Sequence, residues 1–372
     1  MSGQRTWAVR GVWLSACLAA VGCGDNLVVL ADATVQPDPF RTALHVQMPA
    51  MSEHAKIVLA HAQLVTVTFD DDPARAEAEA FGTAAMSSSW YATVGEEYLI
   101  SNPPADKPPL TLRLAHAPAM LTRADLAALI PSTPVTDDEV LYLIYVPPQV
   151  QRGADLVGLR GYHSVVARDD RQIPFAVVLE DDDRSMTGLT ANAGRQLINA
   201  VTSPYPDPRD GYFLDPLATD PWSLVIGGPA DLCVGEAPVV EHGVAYPLVY
   251  SNQFAETGFP CKPGRAEDPW TDVTARPARM PLVRRDTTAT FQLTGWSTSE
   301  VLDWQLELRS SDRSAFTRDQ MRPVLTEVVI NNGRIVTLFL HVPAEAPSGA
   351  VGGVYVLSGV NSHPWAVGFV VQ

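Results

Sequence analysis

"EVLYLIYVPP", residues 139–148, is an unbroken apolar run closed by two prolines. A half-exposed strand alternates apolar and polar residues, whereas a strand covered on both faces does not. The prolines stop the run, since they cannot donate to a ladder. The stretch therefore predicts a buried strand. "HAQLVTVTF" (61–69) and "IPFAVVLE" (173–180) are β-branched apolar runs of the same kind.

Helical patterns separate these strands. Residues 72–98 carry Phe81, Ala85, Trp90 and Val94 at helical spacing, as a predicted inner face. "NPPADKPP" reads as a linker, and "TLRLAHAPAML" (111–121) as an edge strand and turn. "TRADLAALI" (122–130) reads as a short helix with Thr122 as its N-cap. A further helix is expected over 187–202, after the acidic run at 180–183. The stretch 203–279 is rich in Pro, Gly and Asp and shows few regular elements. A region so long and irregular needs a disulfide or a ligand to fix it.

The texture changes near Met280. "TTATFQLTGW", "DWQLELRS", "GGVYVLSGV" and "WAVGFVVQ" alternate apolar and polar residues, and "NNGR" (331–334) between β-branched runs signals a hairpin. Short strands at this spacing predict a β-sandwich. The expected architecture is α+β: a mixed α/β domain over 56–279, then an all-β immunoglobulin-like sandwich over 280–372. Trp296, Trp304 and Trp365 are expected in its core rather than on a carbohydrate-stacking platform.

The N-terminus reads as an address. Arg5 and Arg10 precede "GVWLSACLAAVG", too short to span a bilayer and suited to a signal-peptide core over 1–22. "AAVGCGDN" resembles a bacterial lipobox, with Ala20 where Leu is usual. That resemblance implies lipidation of Cys23, and Gly24 after it suits sorting to the outer membrane. Residues 23–55 are expected to be a flexible tether. The other two cysteines of the exported portion, Cys233 and Cys261, are expected to form a disulfide, contributing roughly 3 kcal/mol by loop entropy. A metal site on these thiolates is the alternative, but no CxxC or neighbouring His pair supports it.

The net charge is −16, and removal of residues 1–22 takes away two cations and no acids. Nucleic-acid binding needs the opposite sign. The membrane contact expected is therefore the lipid on Cys23, not attraction to anionic headgroups.

"QLVTVTF", "SSWYATVGEEY", "LYLIYVPP", "GYHS", "IPFAV", "AVTSPYP", "DLCVG" and "YSNQFAETGFPCKP" stand in this order between residues 60 and 262. In order and texture they resemble a group of exported zincin-like metalloproteases whose helix carries an HExxE motif. The resemblance covers more than half of the mature chain. It implies a zincin-like fold for the first domain. It also implies that Arg195 stands where the first His ligand would be, Gln196 at the general base and Asn199 at the helical carboxylate ligand. Pro229 falls near a later acidic residue of the pattern. A guanidinium repels a dication, an amide cannot act as the base, and an amide oxygen is a weak zinc ligand. No catalysis, metal or cofactor is expected at this site. A cation at Arg195 could pair with acids of the old cleft, such as Asp183, Asp207 or Asp215, or rest on a solvated face.

"GYH", "NAVTSPYP" and "GYF" (211–213) also resemble exordium-like secreted proteins, a non-enzymatic precedent. His163 reads as a satisfied core or loop histidine, with a relic ligand as the alternative. "EDDDR" reads as a solvated turn rather than a calcium loop. Ser87–Ser89 lack a nucleophile context. The function expected is that of a non-catalytic metalloprotease homologue, lipid-anchored in the outer membrane of the cell envelope, with a binding or structural role and a peptide or glycan as its ligand. The alternative is a secreted peptidase working through His163 with Asp207 or Asp215.

Overall fold

The buried run at 140–146 lies in the middle of a five-stranded sheet. The computed structural model describes residues 40–46, 48–54, 57–131, 139–179, 186–205, 211–214, 220–225, 227–233, 237–255, 260–263, 270–311, 313–359 and 365–372. The first part of the chain supplies β1 (Gln63–Phe69), α1 (Arg75–Ala84), α2 (Ser89–Tyr98), β2 (Leu110–Leu114) and α3 (Arg123–Ala128). It continues with β3 (Val140–Val146), β4 (Gly161–Arg168), β5 (Arg171–Leu179) and α4 (Met186–Thr202). The sheet order is β2-β1-β3-β5-β4. Its neighbours run parallel except β4, which pairs antiparallel with β5. Helices connect β1 to β2 and β2 to β3, whereas a loop and β4 lie between β3 and β5, and a two-residue turn with Asp169 at φ 52° joins β4 to β5.

Alternation splits the central strands between two cores. Leu141, Leu143 and Tyr145 of β3 join residues of α1, α2 and α4. Val140, Tyr142, Ile144 and Val146 join Leu121, Leu126 and Ile130 around α3. The expected inner face of 72–98 is buried at all four positions. The helix is nevertheless two helices: Ser88 turns extended (ψ 156°), and its Oγ accepts from Tyr91 N. Serine favours a cap over a helix interior because its hydroxyl can satisfy the backbone of the next turn. Thr122 caps α3 in a reciprocal box with Asp125, and β2 is an edge strand as read.

The later strands are β6 (Thr271–Arg276), β7 (Leu282–Val283), β8 (Thr288–Ser297), β9 (Trp304–Ser310) and β10 (Val324–Leu325). β11 (Val329–Ile330), β12 (Ile335–His341), β13 (Val351–Ser358) and β14 (Trp365–Val371) follow. They form two sheets, ordered β6-β8-β12-β10 and β7-β14-β13-β9-β11. Phe291, Leu293, Leu338 and Leu340 of the first share one core with Leu306, Leu308, Val354 and Phe369 of the second. The architecture is thus mixed α/β with strands outweighing helices. Trp296, Trp304 and Trp365 are buried in the later core.

The structure corrects two expectations in this region. "NNGR" does not close a hairpin. β11 pairs with β9, whereas Ile335 of β12 pairs with Thr294 of β8. The turn itself forms, with Gly333 at φ 84°, but it carries the chain from one sheet to the other. Local turn chemistry sets the bend, and the longer partner strands decide the pairing. Residues 40–46 and 48–54, expected within the tether, are held against the later part of the chain. Ala43 N and Val46 N donate to Asn332 and Thr274, Ser52–His54 pair with Gly211–Phe213, and Met48 and Met51 enter the later core. The boundary expected near residue 280 falls between β6 and β7.

The irregular stretch binds the two halves. Trp222, Leu232, Tyr250 and Trp270 belong to the core of the later sheets. Cys233 and Cys261 form a disulfide, with Cα atoms 6.0 Å apart. Glu97 of α2 takes Lys262 Nζ at 3.2 Å and the Asn252 backbone N–H at 2.7 Å. Phe40–Gln372 cluster as one compact unit. Among the described residues no helix is long and apolar enough to cross a membrane.

Candidate functional site

The helix α4 packs against β5 and the edge strand β4, and it also meets the ribbon Val239–Glu241/Val244–Tyr246. Its apolar residues Ala193, Leu197, Ile198 and Val201 face the sheet core. Its polar residues Arg195, Gln196 and Asn199 turn toward β4 and toward the loop at 227–233. The disulfide at Cys233 fixes the far end of that loop.

Arg195 Nε donates to Asp231 Oδ1 at 2.7 Å. The Asp231 side chain is 8% exposed and that of Arg195 23%, so the pair is largely withdrawn from water. The second Asp231 oxygen accepts from Gly228 N at 3.0 Å. Asn199 Oδ1 accepts from Ala230 N at 3.0 Å. Gln196 Nε2 lies 3.4 Å from Asn192 Oδ1 and is buried. Two glycines admit these side chains. A Cβ on Gly228 would lie 2.3 Å from Asn199 Oδ1, and one on Gly161 would lie 2.8 Å from Gln196 Cδ.

His163 belongs to β4, opposite Ala176 of β5. The residue is half-buried at the sheet edge, while its ring is deep enough for desolvation to hold its pKa below the ordinary value. The negative charge of Asp231 and a hydrogen bond with the Ser203 backbone pull the other way. Asp231 thus carries the field at both Arg195 and His163.

The structure brings together Arg195, Gln196, Asn199 and His163 of the residues singled out from sequence. Asp183, Asp207 and Asp215 lie outside the described residues, as do Cys23, the run 180–183 and the signal segment. Among the described residues, Arg195 has its acid in Asp231. Asp231 lies in the quoted "DLCVG" match, two residues before a disulfide cysteine. Its placement by Cys233 is the signal that makes it legible. Pro229 supplies no side-chain donor, and its carbonyl accepts from Tyr250 N at 2.9 Å. Ser88 is a helix cap, and Ser89 Oγ donates to Glu241.

A zinc ion does not fit these positions. A guanidinium stands at the first, and the asparagine oxygen at the third already serves a backbone N–H. Among the described residues no three His, Cys, Asp or Glu side chains converge as a metal site would require. Compared with protein families, with curated proteins and with solved structures, the chain finds no match.

Proposed function

We propose that the protein is a lipid-anchored component of the cell envelope, a non-catalytic metalloprotease homologue with a binding or structural role. In this reading the first domain is zincin-like, the second is an immunoglobulin-like sandwich, and Cys23 carries the lipid that holds the chain at the outer membrane. The order of strand, edge strand and helix supports it, with "GYH" on β4 and Gln196 of α4 lying against its Gly161.

The Arg195–Asp231 pair carries the proposal. It puts a permanent cation where a metal ligand is expected from the resemblance and holds it with a buried carboxylate. A site of this kind binds or braces. The ligand class favoured is an extended peptide, since β4 is the outer strand of its sheet and offers backbone groups on one side. Peptidase chemistry through His163 would need its ring to reach a substrate, and that ring is deeply buried with a hydrogen bond to the Ser203 backbone.

The test uses the chain from residue 24 onward, purified without chelator. Less than about a tenth of an equivalent of zinc, with no cleavage of unfolded protein substrates, agrees with the proposal. Near one equivalent of zinc, or cleavage lost in His163→Ala, overturns it. Anchoring is tested with the full chain: labelled fatty acid should be incorporated and then lost in Cys23→Ser.

A further inference from the structure

A second concave site lies apart from α4, where the turn Pro221–Leu224 meets the later sheets. It is a cavity of about 240 Å³. Trp222, Trp365 and Phe291 line it, with Pro277 on one wall. The two indoles stand at 70° with centroids 5.4 Å apart, edge against face, and they and Phe291 show only small parts of their rings to the cavity.

Two charged groups of opposite sign also line the cavity, Asp220 and Arg279. One Asp220 oxygen accepts from Trp222 N at 2.9 Å. Its other oxygen has no partner among the described residues, and neither has the exposed Arg279 guanidinium. A simple anion would meet Asp220, and a simple cation would meet Arg279. An uncharged ligand would leave both charges to water. A ligand with both charges satisfies both groups. A wall built of aromatic rings suits a soft, weakly hydrated cation, because the rings attract positive charge and a quaternary ammonium loses little on leaving water. Arginine in turn suits phosphate, to which it donates two parallel hydrogen bonds.

We propose that this cavity is a binding site for a zwitterion built from a quaternary ammonium and a phosphate, the ammonium held among Trp222, Trp365 and Asp220 and the phosphate by Arg279. The chemistry is that of phosphocholine, free or as a lipid headgroup. The site is independent of the Arg195 cleft.

Titration calorimetry with free phosphocholine and with choline tests it on the chain from residue 24 onward. Phosphocholine should bind more tightly than choline. Arg279→Gln should cost phosphocholine at least about tenfold, or about 1.4 kcal/mol, and leave choline unchanged. Asp220→Asn should weaken both, and since asparagine also caps it should leave the melting temperature in place. Absence of binding at tens of millimolar, or affinities that neither substitution moves, overturns the proposal. Co-sedimentation with phosphatidylcholine vesicles distinguishes the source. Vesicle binding that free phosphocholine competes away points to a membrane headgroup; binding of free phosphocholine alone points to a soluble ligand.

Discussion

Arg195 of α4 and Asp231 of the loop before Cys233 stand 2.7 Å apart, and the same carboxylate closes its own loop through Gly228 N. One side chain therefore couples the polar face of the helix to the segment held by the disulfide. Removing one partner of a buried pair leaves an uncompensated charge, at a cost of about 3–5 kcal/mol for full burial. Arg195 is partly solvated, so Asp231→Asn should destabilise by about 1–3 kcal/mol. Urea denaturation followed by tryptophan fluorescence measures this. The double variant Arg195→Met/Asp231→Leu should recover most of the loss, because it leaves no orphaned charge.

The glycines beside this pair should be intolerant of a methyl group. Gly228→Ala places its Cβ on Asn199 Oδ1 and must break the bond from Ala230 N. A loss of about 1–3 kcal/mol is expected. Gly243→Ala serves as the control for a glycine with open space around it, although its φ of 83° adds local strain. The helical signal should persist in both, with only Gly228→Ala loosening amide protection along 227–233.

His163 sets a pH dependence. Its pKa is lowered in the folded state, mainly by desolvation. The unfolded histidine takes up its proton near pH 6.5 and the folded one resists. Stability is therefore complete above about pH 6.5 and falls as the pH drops below it, by up to about 1.4 kcal/mol per pH unit until the folded group titrates. Urea midpoints at pH 7.5 and 5.5 should differ more in the natural protein than in His163→Gln. An equal difference in both would remove His163 as the cause.

The disulfide between Cys233 and Cys261 closes 28 residues of sequence. Reduction, or the double serine variant, should cost about 3 kcal/mol on loop entropy. The loss should appear as a lower melting temperature. It should also raise protease sensitivity first within 227–263, whose described elements are only short strands and one turn of helix.

Glu97 takes Lys262, Ser251 and the Asn252 backbone N–H at once. Glu97→Ala should destabilise by about 3–5 kcal/mol, more than Asp231→Asn. Glu97→Gln should fall between the natural protein and Glu97→Ala, since it keeps the acceptor and loses the charge. Equilibrium unfolding of the three proteins gives the order.

Much of this fold could be read locally. The unbroken run of β3 declared both its faces covered, and Thr122 with Asp125 marked the start of α3. What escaped was set by distant partners. The bend at Asn331–Arg334 was visible, but only Thr294 and Trp304 decide that its two arms enter different sheets. Residues 40–54 looked like a linker because their anchors, Asn252, Thr274 and Asn332, lie more than two hundred residues away. At the site, the helix positions Arg195, Gln196 and Asn199 were legible through spacing and resemblance. Asp231 was harder to assign as the partner, because a disulfide and a turn, not a helical or strand period, bring it there.

The packed segment 40–54 also defines a mechanical route. Traction applied ahead of residue 40 meets first the bonds of Ala43 to Asn332 and of Val46 to Thr274, and the contact of His45 with Trp296. These belong to β6, β8 and the turn before β12. The load enters the molecule through the later sheets, and the five-stranded sheet with α4 is spared until that clasp peels away.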